Sequence, residues 1–471
     1  MGFFAPTERN KPVNDRRRPP YYDPTLGHGR LFSSVQAAEQ VSTQDATKFE
    51  KEPPKVTKLD NQLTVASIEN ASLISRVGIA VKAGARFEHA GYNGITHFFR
   101  NALAVTTATT HCVSVVRELQ KYGCNLSCTS NREYIFYQVE GTRDTIERGV
   151  DMMTTVLSEP LYYKHEIAGV ANLVNLDVQS LSPEAMVMED LHATAFTGGM
   201  ANSIYCPQHQ ISNINADMMH AYRLSLFKEP RMAFVGLGVN SDFLVERAKQ
   251  YPASLGLLGT PKEIPSKYVG GESRVQTGGD LAYAFLVTEG PSMTSKDAAA
   301  AAVLQYVMGM GSVVKYSPGI VSRLGKAVNT AVGNDNFAVS AVNLPYSDTG
   351  LFGFSVTGNA SDIGTIVKAA AAEFASVTKA GAISDEAVNN AKNRLKSALH
   401  MEYDDTANLI NSMAVESLTT GNVTEVAALS QIVDSVSTAD VVNVAKKTIN
   451  GKPTLASRGN LSWMPRLVDL M

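Results

Sequence analysis

The most constraining feature of this sequence is that it nearly repeats itself. Shifted by 217 residues, Ser130 falls on Ser347, Val139 on Val356, Gly141 on Gly358, Ile146 on Ile363 and Val150 on Val367. A later stretch repeats at a shift of 223, with Ala216-Asp217 on Ala439-Asp440, Pro230 on Pro453, Ala233 on Ala456 and Gly236 on Gly459. Both registers run through strand-like and helix-like patterning. They predict an internal duplication of about 220 residues and therefore two similar domains.

The patterning within each half is mixed. Leu63 to Ile68 and Val77 to Val81 read as strands. His111 to Tyr122 reads as a helix presenting Val113, Val116 and Leu119 and stopped by Gly123. Two further strands, Asn125 to Thr129 and Tyr134 to Glu140, are joined by a short polar turn, and a helix is expected from Thr142 to Leu157. Ser182-Pro183-Glu184 is a helix start, with the hydroxyl capping free amides and proline at the first helical position. That helix carries Met186, Val187, Leu191 and Phe196 toward a core. A later helix, Ser361 to Thr378, contains the run Ala369 to Ala372, which permits close packing.

Hairpin-sized turns and amphipathic helices together predict an α+β fold. Two homologous lobes from the internal duplication are expected, each a mostly antiparallel sheet with helices packed on one face. The expected division is a disordered presequence or tail over 1–45, a first domain over 58–255, a linker over 256–273 and a second domain over 274–471.

Composition removes several classes of function. A formal charge of -3 argues against nucleic acid as a partner. No apolar run approaches the roughly 20 residues needed to cross a bilayer, so no transmembrane span is expected. Four cysteines do not make a disulfide framework in 471 residues. Cys124 and Cys128 with His111 and Cys112 invite a metal reading, but their loose spacing on a strand favours ordinary thiols. The first 45 residues contain Arg16-Arg17-Arg18-Pro19-Pro20 and little apolar periodicity, as a targeting segment would. Glu8, Asp15 and Asp23 depart from that type, and a tail that stays attached is the alternative.

The chemistry centres on Gly94-Ile95-Thr96-His97-Phe98-Phe99-Arg100-Asn101. It has the outline of the inverted zinc-protease motif H-x-x-E-H. In that motif two histidines four apart on one helical face reach one Zn²⁺, and the glutamate between them acts on the bound water. Here only His97 remains. Arg100 stands at the position of the base and Asn101 at the position of the second ligand. A fixed cation next to a dication's seat predicts no closed metal site, and no catalytic residue, cofactor or metal ligand is assigned.

With Ala83-Gly84-Ala85-Arg86-Phe87-Glu88 before it, this stretch resembles the mitochondrial processing peptidase family. The resemblance extends from about Lys58 to the C-terminus. It rests on Glu189-Asp190-Leu191-His192-Ala193, Ala201-Asn202-Ser203-Ile204-Tyr205-Cys206-Pro207, Gly236-Leu237-Gly238-Val239, Tyr346 to Phe354 and Gly459-Asn460-Leu461. It implies two α/β lobes facing a large cavity, and a third zinc ligand, a glutamate, near Asn175-Leu176-Asp177, where none stands. It also implies pairing with a second family member. Two roles follow from it: a structural subunit of a respiratory membrane complex, or a substrate-recognition subunit of a matrix peptidase.

For the second role a long glycine-rich loop is expected, and the chain offers only scattered Gly309, Gly311, Gly319 and Gly325. Met308-Gly309-Met310-Gly311-Ser312 lacks the lysine of a phosphate loop. His192 on a core helix is read as structural. Lys392, Arg394 and Lys396 are read as a solvated basic face. Nothing resembles a haem or iron–sulfur ligand set.

Overall fold

The computed structural model describes residues 52–251, 263–311, 322–333, 336–379 and 381–470. The first half contains β1 (Lys55–Lys58), β2 (Thr64–Ile68), β3 (Ile74–Val81), α1 (Ile95–Asn101), α2 (Cys112–Lys121), β4 (Asn125–Ser130) and β5 (Ile135–Thr142). It continues through α3 (Ile146–Ser158), α4 (Lys164–Gln179), α5 (Pro183–Ala195), β6 (Phe196–Thr197), α6 (Ala216–Leu226), β7 (Met232–Leu237) and α7 (Ser241–Gln250). β8 (Lys267–Tyr268) pairs with β6.

The second half contains β9 (Gly271–Gln276), β10 (Leu281–Gly290), α8 (Ala298–Met308), α9 (Arg323–Val332), β11 (Phe337–Pro345) and β12 (Gly350–Asn359). After it come α10 (Ile363–Ser376), α11 (Asp385–Asp404), α12 (Thr406–Thr419), α13 (Val426–Ser435), α14 (Thr438–Ile449) and β13 (Thr454–Gly459). The described part of 256–273 therefore carries β8 and opens β9.

The duplication is visible in the sheets. One has the order β1-β2-β7-β3-β5-β4 and the other β11-β12-β10-β13-β9. Read from β4 and from β11 the two orders coincide, with β1 as an extra edge strand. In each, one pair is parallel, β2 with β7 and β9 with β13, and the remaining pairs are antiparallel.

Each lobe's own helices cover one sheet face. In the first lobe Val77, Ile79 and Val81 of β3 pack with Ile95, Phe98, Val150 and Met153. In the second, Phe352, Phe354 and Val356 of β12 pack with Val303, Leu304, Ile366 and Val367. Ala370, within the alanine run, is buried in this core.

The opposite face of each sheet is covered by a helix from the other lobe. Leu409, Ile410, Met413 and Ala414 of α12 lie on Ala66, Ala80, Val235 and Leu237 of the first sheet. Val187, Leu191 and Ala195 of α5 lie on Phe285, Val287 and Ala456 of the second. Cover on both faces explains why β2 and β7 are buried at every residue instead of alternating between buried and exposed. A fully buried Leu or Met contributes about 1.5–3 kcal/mol, so this exchange makes each lobe's core depend on the other.

Two expectations need correction. α2 buries Val115 and Leu119, while Val113 and Val116 are exposed, so only Leu119 of the three apolar residues named for it faces the core. The helix expected from Thr142 begins at Ile146, because β5 pairs through Thr142 with Ile74.

Polar bridges also cross between lobes. Arg86 Nη1 donates to Glu133 Oε1 at 3.1 Å and to Asp348 Oδ1 at 2.9 Å. Ser347 N donates to the Glu133 carboxylate at 3.1–3.2 Å, so the β4–β5 turn meets its duplicate, the β11–β12 turn. Asp190 on α5 accepts from Arg458 on β13 at 2.8 Å. Among the described residues no helix is long and apolar enough to cross a membrane.

Candidate functional site

The motif helix α1 starts at Gly94, whose φ of 87° is the left-handed conformation glycine adopts without strain. A side chain there would also collide with Cys206, since a Cβ would stand 2.5 Å from its Sγ. The free amides of the first turn are met by Glu88. Its carboxylate accepts from Gly94 N at 2.7 Å, Thr96 N at 2.9 Å and Thr96 Oγ1 at 2.6 Å. Burial pushes the Glu88 carboxyl up to about 7 against the pull of those donors.

On this helix His97 is fully buried. Its Nδ1 accepts from the backbone N–H of Cys206 at 3.1 Å. A neutral imidazole accepting there carries its proton on Nε2. Nε2 then donates to Asp177 Oδ2 at 3.1 Å. The same oxygen accepts from Arg100 Nη2 at 2.9 Å and from Asn101 Nδ2 at 3.2 Å. Arg100 Nη2 also approaches His97 Nε2 to 2.7 Å. With both nitrogens protonated, that approach is two donors crowding one acceptor.

The electrostatics follow from this tripod. Burial lowers the affinity of His97 for a second proton, Arg100 lowers it further, and Asp177 only partly opposes them. Burial would raise the Asp177 carboxyl, yet hydrogen bonds from His97, Arg100 and Asn101 outweigh it and hold it below the ordinary carboxylate range. Tyr205 closes the cluster, its ring edge-on to His97 at 5.7 Å and beneath the Arg100 guanidinium at 5.6 Å.

The three motif positions and Asp177 on α4 thus meet, as the helical spacing and the family's third ligand implied. What they form is an ion-paired hydrogen-bond cluster. The guanidinium lies against both His97 and Asp177, and Nε2, the nitrogen turned toward Asp177, carries a proton. Among the described residues no three His, Cys, Asp or Glu side chains are grouped to hold a metal ion. Such a cluster can hold α1 against α4, and it presents no free base or nucleophile.

The other singled-out residues lie elsewhere. His192 donates through Nδ1 to Met188 O at 2.7 Å and accepts through Nε2 from Tyr346 at 2.5 Å, linking α5 to the second lobe. Burial, with Arg132 nearby, pushes it down to about 3. Cys112, Cys124, Cys128 and Cys206 are free thiols. Lys392 and Lys396 are not simply solvated, since both donate to Asp434 on α13. Gly309 and Gly311 follow α8, while Gly319 and the rest of 312–321 lie outside the described residues.

Sequence reasoning missed Glu88 and the Cys206 amide. Glu88 had a usable signal, an acid six residues before the helix-starting glycine. The amide donor had none, because any residue except proline supplies one.

Two lobes of one topology, with a motif helix against α4 at the first, define a chain of the M16 peptidase type. Residues 64–208 match the model of Insulinase (Peptidase family M16), and residues 213–395 match that of the Peptidase M16 inactive domain. Cytochrome b-c1 complex subunit 2, mitochondrial, of Rattus norvegicus is 34% identical, covering 93% of this chain and 97% of the relative. Its Homo sapiens counterpart is 33% identical over the same shares. The mitochondrial-processing peptidase subunit alpha of Solanum tuberosum is 26% identical, over 88% and 84%.

A chain of complex III2 from Candida albicans, solved with Inz-5 bound, superposes with a TM-score of 0.77 at 18% identity. The match covers 88% of this chain and 98% of that one, and it shows the shared fold. The chain belongs to the family of mitochondrial cytochrome b-c1 complex subunit 2.

Proposed function

We propose that this chain is a non-catalytic structural core subunit of ubiquinol–cytochrome c reductase, complex III, supporting its assembly from the matrix side of the inner mitochondrial membrane. The observation that carries the reading is the Arg100 guanidinium held against His97 and Asp177, in a chain related along 93% of its length to subunit 2 of that complex. Its partners would be a core protein 1 homologue and the cytochrome b, cytochrome c1 and Rieske subunits, which carry the electrons, in a dimeric assembly. No metal, cofactor or nucleic acid is assigned to it.

In this role residues 58–255 and 274–471 act as two peptidase-like domains around the linker 256–273. Residues 1–45 act as a presequence, with Gly29-Arg30-Leu31-Phe32-Ser33-Ser34 as the processing region. The two lobes, locked by exchanged helices and by Arg86, suit a rigid docking body more than a hinged enzyme.

The similarity to the processing peptidase alpha subunit favours one alternative, a non-catalytic substrate-recognition subunit of a presequence peptidase. Native-gel separation of gently solubilised mitochondrial membranes, with mass spectrometry of the bands, separates the two. Migration with cytochromes b and c1 supports the core-subunit reading. A soluble heterodimer without cytochromes refutes it.

A further inference from the structure

The duplication gives the motif cleft a counterpart. α8 follows β10 as α1 follows β3, and α11 follows α10 as α4 follows α3. The cleft between α1 and α4 is closed by Arg100 and Asp177. Beside its counterpart, where α8 packs on α11, lies a hollow of about 820 Å³ walled by α9, α11 and the end of α8. One half of the chain places an ion pair here, and among the described residues the other half places a hollow.

Among the described residues the lining of the hollow is cationic. Arg323 on α9 is committed, to Glu373, to Ala382 O at 2.7 Å and to Ser376 Oγ at 3.2 Å. Glu373 is the only carboxylate among the described lining residues, and Arg323 neutralises it. Lys326, three residues on and so on the same helical face, has no ion-pair partner among the described residues. Arg394 on α11 also has none there. Its guanidinium lies 5.9 Å from the centre of the Tyr306 ring, which restricts it without neutralising it. Asn390 and Asn393 add neutral donors beside Arg394.

We propose that this hollow binds a small polyvalent anion of phosphate or carboxylate chemistry, held between Lys326 on α9 and Arg394 on α11. The volume lies within the range of small-molecule sites. A fork-shaped guanidinium and a point-charge ammonium on facing walls suit an anion with two charged groups. A basic presequence would be repelled here, so the site is unrelated to the handling of targeting peptides.

The test uses the recombinant full chain and pyridoxal 5′-phosphate, a phosphate-bearing aldehyde that labels lysines, followed by borohydride reduction and peptide mapping. Lys326 is expected to reach half-labelling at a probe concentration at least tenfold below that for the exposed Lys58 on β1. Pyrophosphate should protect it. Arg394→Gln should remove the advantage while leaving the circular dichroism spectrum and the labelling of Lys58 unchanged. Citrate protecting as well as pyrophosphate identifies carboxylate chemistry, and protection by pyrophosphate alone identifies phosphate. Labelling of Lys326 at the rate of Lys58, or labelling that pyrophosphate does not slow, overturns the proposal.

Discussion

Replacing Asp177 by alanine removes the one oxygen on which His97, Arg100 and Asn101 converge. The cost is not shared equally among the three donors. Arg100 keeps 22% of its side chain in solvent and can be rehydrated, and Asn101 retains its bond to His97 O at 3.2 Å. His97 is wholly buried, and its Nε2–H loses its acceptor. An unsatisfied buried donor costs about 1–3 kcal/mol. The Asp177 side chain is itself 41% exposed, so its ion pair with Arg100 adds only about 0–1 kcal/mol.

Asp177→Ala is therefore expected to destabilise the chain by about 1–3 kcal/mol, nearly all of it through His97. Urea unfolding of the full chain measures it, and a double-mutant cycle with His97→Phe locates it. In the His97→Phe background the effect of Asp177→Ala should fall to about 1 kcal/mol or less, the part left to Arg100. Arg100→Met alone should cost less than Asp177→Ala. An undiminished effect of Asp177→Ala in the His97→Phe background would refute the argument, because the energy would then reside in the ion pair.

Three further outcomes are expected. Arg100→Glu combined with Asn101→His restores the letters of the zinc motif, yet metal analysis after dialysis should find well under one equivalent of zinc, because the Cys206 amide keeps the proton on Nε2 of His97; one retained equivalent would contradict the tautomer. Leu191→Ala on α5 should cost about 2–5 kcal/mol, and hydrogen exchange should quicken in β10 and β13 of the second lobe, with protection lost only in the first lobe counting against the exchanged-helix packing. His192, held at about 3 against an ordinary value near 6.5, binds fewer protons folded than unfolded between those values, so stability falls as pH drops through that window by up to about 1.4 kcal/mol per unit. His192→Gln should flatten urea midpoints between pH 6.5 and 5, and an unchanged slope would exclude His192 as the source.

How far the chain could be read without its structure depends on the range of each signal. His97, Arg100 and Asn101 were legible because three- and four-residue helical spacing puts them on one face whatever surrounds them. Asp177 lies 80 residues from His97 and was placed only by the family's ligand pattern. Of the apolar residues named for α2, Leu119 faces the core and Val113 and Val116 do not, since a ten-residue helix with four valines and leucines supports more than one apolar phase. The duplication was legible because equivalent strands and helices keep similar residues in register.

The exchange of α5 and α12 was not legible, since an apolar helix face carries the same pattern whichever sheet covers it. Yet several stretches that carried the likeness to a known family lie where the two lobes meet. Asp190 bonds Arg458, His192 bonds Tyr346, Ser347 bonds Glu133 and Asp348 bonds Arg86. In this chain those stretches tie the two lobes together at their seam, while His97, Arg100 and Asn101 converge on Asp177 within the first lobe.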